Sequence, residues 1–300
     1  MSLRKKILIG LASLVTLLVV GSLVTIWSIG AWGILFPSDA HDTTPPEIAE
    51  NFGEGRSLRV LVYSKTNSFR HSEGIAAAHT LFDKIGERRG WAVFHSENSA
   101  LLDPSFLDRF DVLIFASASG NHASDVQDEA FKSWLENGGG WVGIHAAGDG
   151  SHAGWTWYAE NLVSGKYLGH ILGPQTQEAR VVVEDKIHPV TRGLPSEFQH
   201  EEEWYSWDRG AREAGFHVLL TVDESTYSPW IRGFGQEKDI SMKDHPVVWS
   251  RCVGRGRALY TAMGHWGNAY QQDYTATILE NGVEWASGTG GAACPSESTH

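Results

Sequence analysis

The chain has 300 residues, 42% of them hydrophobic and 20% charged, with a formal net charge of −12. That length holds one large α/β domain plus an additional segment, and the acidity excludes a nucleic-acid binder, which needs a basic face. Thirteen tryptophans belong mostly to a core, with some left for an aromatic-lined site, and two cysteines are too few for a cysteine-rich metal centre.

Residues 1–6 are a basic stub carrying Arg4, Lys5 and Lys6. From Ile7 to Phe36 no charged residue occurs, about 30 residues against the roughly 20 that cross a bilayer. With basic residues before it and acidic ones after it, residues 7–36 read as a transmembrane signal anchor, its N-terminus cytoplasmic and the rest of the chain extracytoplasmic. The rival is a secreted chain cut near Ala40, although the apolar core of a signal peptide is only about 7–15 residues. Residues 37–57, rich in proline, glycine and acid, read as a linker, and 289–300 as a disordered tail.

Between them, residues 58–288 alternate strand and helix. Leu58 to Tyr63 is an apolar, β-branched strand. Ser72 to Arg89 has helical period, with Ser72 as its cap and Gly90 as its stop. Trp91 to His95 and Asp111 to Ala116 are strands, the latter apolar throughout as in a sheet covered on both faces. Ala123 to Asn137 is a helix closed by Gly138, Gly139 and Gly140, and Trp141 to His145 is a fourth strand. This alternation implies a mostly parallel sheet with right-handed crossovers, which binds ligands at the carboxyl ends of its strands. After about residue 175 the strands shorten: Ala179 to Glu184, Phe216 to Val222, Pro246 to Arg251 and Arg257 to Met263. A last helix runs from about Gln272 to Ser287.

The strand ends collect polar residues. Arg70 and His71 follow the first strand, His145, Asp149 and His152 the fourth, and His265 and Trp266 the last. In this topology Arg70, His71, His145 and His265 share one rim. His145 closes a buried strand among small residues, where only a crowded backbone and a cleft can surround it. For His122, as for His41, His79, His217 and His300, an ordinary surface or hydrogen-bonded role is the simpler reading. Glu201-Glu202-Glu203 leads into Trp204, Tyr205 and Trp207, and acids beside aromatics suit sugar hydroxyls and sugar faces. His188 and His245 each precede a proline-led strand, the second of which reaches Trp249.

Standard templates fail. Ala116-Ser117-Ala118-Ser119-Gly120 lacks the first glycine of a nucleophile elbow, and no phosphate loop or Gly-x-Gly-x-x-Gly follows the first strand. Fourteen histidines near carboxylates are compatible with a divalent metal. No two have a diagnostic spacing, so the sequence assigns no metal ligand and demands no cofactor.

Phe69-Arg70-His71, Gly138 to Ala147, His188-Pro189-Val190, Glu203-Trp204-Tyr205, His245 to Trp249 and Gly254 to His265 together resemble the trehalose-utilisation (ThuA-like) family, within the class I glutamine amidotransferase-like fold. The resemblance implies a flavodoxin-like, three-layer α/β domain. Amidotransferases carry Gly-x-Cys-x-Gly where this chain has Gly143-Ile144-His145-Ala146-Ala147, so glutamine hydrolysis through a thioester is excluded. The family is associated with sugar catabolism, including oxidised (3-keto) disaccharides. Where the family more often has Asp before Glu-Trp-Tyr, this chain has Glu202, which leaves two adjacent acids to choose between.

The first expectation is a sugar-processing hydrolase or isomerase. In it His145 or His265 acts as general acid/base, with Arg70 and His71 beside them. Glu203, Tyr205, Asp149, Trp249 and Trp266 bind substrate. The others are a non-catalytic sugar-binding module and a metal-dependent hydrolase or isomerase using the histidine rim. The partners expected are a small carbohydrate, the membrane through residues 7–36 and a second copy of the chain, with no nucleic acid.

Overall fold

The computed structural model describes residues 2–150, 152, 154–233 and 235–291. The tail from residue 292 onward, His300 included, lies outside the described residues.

Among the described residues thirteen strands follow in chain order: β1 (Arg59–Tyr63), β2 (Ala92–Ser96), β3 (Val112–Ala116), β4 (Gly140–Ile144), β5 (Tyr167–His170), β6 (Gln177–Val183), β7 (Glu197–Glu202), β8 (Tyr205–Trp207), β9 (His217–Val222), β10 (Trp230–Gly233), β11 (Gln236–Asp239), β12 (Pro246–Val253) and β13 (Gly256–Thr261). Nine form one sheet in the order β2-β1-β3-β4-β13-β12-β9-β6-β7. The pairs from β2 to β13 are parallel and those from β13 to β7 antiparallel. The parallel part is the sheet expected from the alternating pattern, and β3, β4 and β13 are buried at every residue. Such strands leave no face to water, which is why β3 and β4 read as unbroken apolar runs; in β13 only Arg257 and Thr261 interrupt the pattern. The antiparallel part begins where the sequence pattern shortens.

Of the longer helices, α1 is Leu3–Ser28, α2 Ser72–Arg89, α3 Asp125–Glu136 and α4 Asp273–Ala286. Ser124 and Gln127 close a capping box on α3, satisfying two backbone N–H groups that would otherwise lack partners. At α2 the expected cap is corrected. His71, not Ser72, holds the N-cap position and makes no side-chain cap bond, because its imidazole is turned away into the cluster described below.

α1 has 26 residues and a mean hydropathy of 2.6 over its most apolar stretch. At 1.5 Å per residue it is about 39 Å long, long and apolar enough to cross a membrane. It ends at Ser28, short of Phe36, and a separate turn covers Trp32–Leu35. Residues 37–57 contain no strand but lie along the domain. The Asp42 carboxylate receives Lys65 Nζ at 2.7 Å and the Ser99 amide at 3.0 Å, and Phe52 packs edge-on against Phe94 and Phe110.

Register positions the site. Ile144 stands beside Thr261 and beside Ala116, and Tyr63 beside Phe115. The segments leaving β1, β3, β4 and β13 therefore emerge at one level of one sheet edge.

Candidate active site and its histidine–carboxylate cluster

Three of these segments deliver a histidine to a common point. His71 ends the β1–α2 loop, His145 follows β4 directly, and His265 follows β13. The segment between β7 and β8 brings in Glu203. All four are buried, and one donor atom from each lies within 4.8 Å of every other. Glu203 Oε2 is 3.2 Å from His265 Nδ1, 3.5 Å from His145 Nε2 and 3.8 Å from His71 Nε2. His145 Nε2 and His265 Nδ1 are 3.1 Å apart.

His145 occupies a strained turn, with φ at +50°, a region that residues with a Cβ rarely enter. Such strain persists where surrounding structure enforces it, often at functional sites. Here Tyr260 Oη donates to the His145 carbonyl at 2.7 Å. Two residues earlier, a Cβ on Gly143 would stand 2.2 Å from the Trp141 ring, so the strand end admits only glycine. The side chain is fixed as well. His145 Nδ1 donates to Ala262 O at 2.8 Å, so Nε2 presents its lone pair to the cluster. Tyr205 Oη lies 3.0 Å from that Nε2.

The two adjacent acids have different tasks. Glu202, at the end of β7, turns beneath the cluster and accepts from the Gly264 amide at 2.6 Å, the Glu203 amide at 2.9 Å and His200 Nε2 at 3.3 Å. It fixes the backbone that carries His265. Glu203 faces the cleft, its second oxygen accepting from Gln175 Nε2 at 2.8 Å and lying 3.1 Å from His170 Nδ1.

Burial opposes charge on both acids, yet both remain ionised. The imidazoles of His145, His265 and His71 around it take Glu203 well below the usual carboxylate range. The bond from His200 and the nearby His145 bring Glu202 down to about 2. Burial also opposes charge on His145, but contact with Glu203 and the charge of Glu202 outweigh it and raise its pKa. His71 goes the other way, to about 3, through burial and the proximity of His145. The cluster is thus an ionised carboxylate facing imidazoles at a buried point.

This donor set fits a divalent cation. Bonds of about 2.0–2.1 Å in a tetrahedron set the ligand atoms roughly 3.4 Å apart; the three separations from Glu203 Oε2 and the one between His145 and His265 run from 3.1 to 3.8 Å, and every pair lies within 4.8 Å. The Nδ1–H bond of His145 to a backbone carbonyl is the outer-shell support that metal-ligating histidines ordinarily have.

A cleft of about 350 Å3 opens on the cluster, lined by His71, Asp149, His170, Gln175, Glu203 and Tyr205 among others. A neighbouring cleft of about 470 Å3 shares Phe69, His71 and Gln175 with it and adds Arg70, His265 and Trp266. The structure therefore gathers His71, His145, His265, Glu203 and Tyr205 at one point and sets Asp149 and Trp266 on the cleft walls. Arg70 is on the rim but outside the cluster, its guanidinium paired with Glu97 at 2.6 Å.

Trp249 is not at the cleft. It lies buried on β12, packed edge-on against Trp207, with its indole N–H donating to Leu162 O, so its place is the core. Sequence reasoning missed His170 and Gln175, whose position depends on the β5–β8 pairing that sets His170 beside Tyr205. It also missed His200, which shares the buried face of β7 with Glu202.

A family profile described as trehalose utilisation (ThuA) matches residues 59–286. Among solved structures, a ThuA-like protein from Bacteroides uniformis is 26% identical, with a TM-score of 0.65 over 81% of this chain and 95% of its own. Another, from Parabacteroides merdae, is 20% identical with a TM-score of 0.57, over 81% and 96%. A cytoplasmic protein from Salmonella typhimurium, 12% identical with a TM-score of 0.52 over 76% and 99%, shares the fold alone. Comparison with curated proteins gave no match.

Proposed function

This chain belongs to the trehalose-utilisation (ThuA) family, and from that premise we propose that it is a metal-dependent hydrolase or isomerase of an oxidised sugar, held at a membrane by α1 with its domain outside the cytoplasm. The family's description supports a carbohydrate-related role. One observation carries the finer reading: three imidazoles and a carboxylate converge, buried, at the floor of a cleft.

His71, His145, Glu203 and His265 hold the cation in this reading, and the cation supplies Lewis-acid polarisation of a sugar carbonyl or hydroxyl. The chain's own groups do the rest. Tyr205 Oη, at 3.0 Å from His145 Nε2, donates a hydrogen bond toward the reacting oxygen. Asp149, on the cleft wall, accepts from substrate hydroxyls. Gln175 and His170 hold the outer oxygen of Glu203, so the inner one keeps its direction. The acid/base role expected of His145 and His265 then passes to groups beside them, because imidazole nitrogens committed to a cation no longer carry protons.

Metal analysis of the freshly purified full chain tests this, combined with turnover of 3-keto-glycosides before and after chelation. One equivalent of a divalent ion, with turnover lost on chelation and restored on re-addition, is the expected result. Full turnover in a chelated, metal-free sample overturns the metal, and no turnover or binding of any oxidised sugar by the metal-loaded protein overturns the substrate class.

A further inference from the structure

The end of α1 is built into the wall of this site. After Ser28 the chain turns and lies across the loop that carries His71, with Gly30 O accepting the Arg70 amide at 2.9 Å. Gly30 has φ at +82°, and a Cβ there would stand 2.1 Å from Arg70 O; a Cβ on Gly33 would stand 2.3 Å from Ser68 O. Two glycines thus let the segment leaving the helix lie on the loop backbone, with no side chain between. As a result Ile34 lines the cleft of Glu203 and His71, while Ser28 and Ile29 line the neighbouring cleft of His265 and Trp266. The donor cluster stands at the point where the apolar helix ends.

The surroundings match a bilayer surface. Trp27, Trp32, Phe36 and Trp266 are all solvent-exposed, and aromatic residues of this kind gather at the headgroup level of membranes. The two clefts are graded: Ile29, Ile34, Phe69 and Trp266 contribute apolar surface, and His71, Gln175, Glu203 and His265 polar groups. Aromatic Phe69 and Trp266 can take a sugar face, but a free sugar has little use for aliphatic Ile29 and Ile34. An amphiphile with a hydroxylated head and an acyl tail matches both parts. The chain charge of −12 disfavours an anionic head at long range.

We propose that the ligand of this site is the uncharged glycosyl headgroup of a membrane lipid, drawn from the bilayer in which α1 stands. The proposal rests on the carbohydrate reading above and adds the lipid to it. It also requires that α1 be retained, since cutting near Ala40 would remove Ile34 and the Gly30 contact from the wall.

The test places the full-length, metal-loaded chain in phosphatidylcholine nanodiscs and follows its unfolding temperature. Monoglucosyl-diacylglycerol is added to the discs, or methyl glucoside to the buffer, since a ligand of the folded state raises that temperature. The expected result is a saturable rise with the glycolipid, at least about tenfold weaker half-saturation in Trp266→Ala and Ile34→Asp, and no rise with methyl glucoside at matched concentration. The unliganded unfolding temperatures show whether the variants are folded, and Trp266→Ala, on an exposed position, stands in if Ile34→Asp is not. A rise with methyl glucoside equal to that with the lipid overturns this proposal and leaves the carbohydrate reading in place. A lipid-dependent rise that persists undiminished in Glu203→Gln overturns it too, because the lipid then sits outside the cleft. No rise with either ligand overturns this proposal, while the oxidised-sugar reading is decided by the turnover of 3-keto-glycosides described above.

Discussion

Two groups of histidines lie at the same edge of the sheet, all buried in the first and one buried, one half-buried in the second, and their difference separates a reactive site from packing. The first is His71, His145 and His265 around Glu203. The second is His122 and His152, whose rings meet at 4.7 Å between Tyr63, Phe115 and Tyr158. His122 Nδ1 bonds Tyr63 Oη at 3.0 Å, and among the described residues neither ring is ion-paired with a carboxylate. Burial then acts almost unopposed, taking His122 well below its usual value and His152 to about 4. In the first group the carboxylate reverses that outcome for His145. Burial alone makes an imidazole an inert polar ring; burial around an ionised acid makes it one of several donors aimed at a point.

The sharpest way to break the comparison is to give the first group the character of the second. Glu203→Gln retains shape and removes the charge. Loss of an outer-shell partner costs roughly 10–100-fold in metal affinity, and loss of a ligand should exceed that, so a fall of more than about 100-fold is expected by metal titration. Retention of metal within tenfold of the parent would show that the imidazoles suffice and that the contrast drawn here is misplaced.

The reverse experiment touches the second group. His122→Ala leaves a cavity and strands the Tyr63 hydroxyl, a loss of about 1–3 kcal/mol, read as a lower midpoint in denaturant. Metal content should not change. A parallel loss of metal would mean that the two groups are one site.

The parallel sheet and the rim of His71, His145 and His265 were legible because each rests on local pattern: unbroken apolar runs, helix stops and polar residues directly after strands. The choice between Glu202 and Glu203 was not, since it depends on which side of the β7 end each carboxylate takes. Trp249 looked like a ligand platform beside His245, but the antiparallel pairing of β12 with β9 and β13 buries it. His170 and Gln175 carry no local signal; only the pairing of β5 with β8, distant in sequence, brings them to Glu203. Residues 37–57 were readable as lacking regular structure, whereas their attachment through Asp42 and Phe52 depends on partners more than twenty residues away.

The histidines of the second group also set a pH dependence. His152 titrates near 6.5 in the unfolded chain and near 4 in the folded one, so between these values the unfolded chain binds the additional proton. Stability from this residue is complete above about 6.5 and declines on acidification, by up to about 1.4 kcal/mol per pH unit. Asp128, raised to about 7 by burial and then by Asp125, opposes it in the same window, so the informative quantity is a difference between proteins. His152→Phe should lose less stability than the parent between pH 6.5 and 4.5, measured by thermal unfolding. Equal losses would place the proton uptake elsewhere.

The smallest expected effect concerns Tyr205, which borders the first group without belonging to its donor set. Its hydroxyl sits 3.0 Å from His145 Nε2, and its ring lies against that imidazole at 4.4 Å, tilted by 34°. Burial and the charge of Glu203 push its pKa well above the usual value, so it remains a neutral donor over the whole working range. Tyr205→Phe keeps the ring contact and removes one hydrogen bond, about 0.5–1.5 kcal/mol, or roughly tenfold at most. If Tyr205 serves the reacting sugar, that loss appears in kcat with metal affinity unchanged. If it serves only to orient His145, metal affinity falls instead and kcat of the metal-saturated enzyme is unaltered. Measuring both on the same preparation decides whether the boundary of the reactive site includes Tyr205 or stops at the four donors.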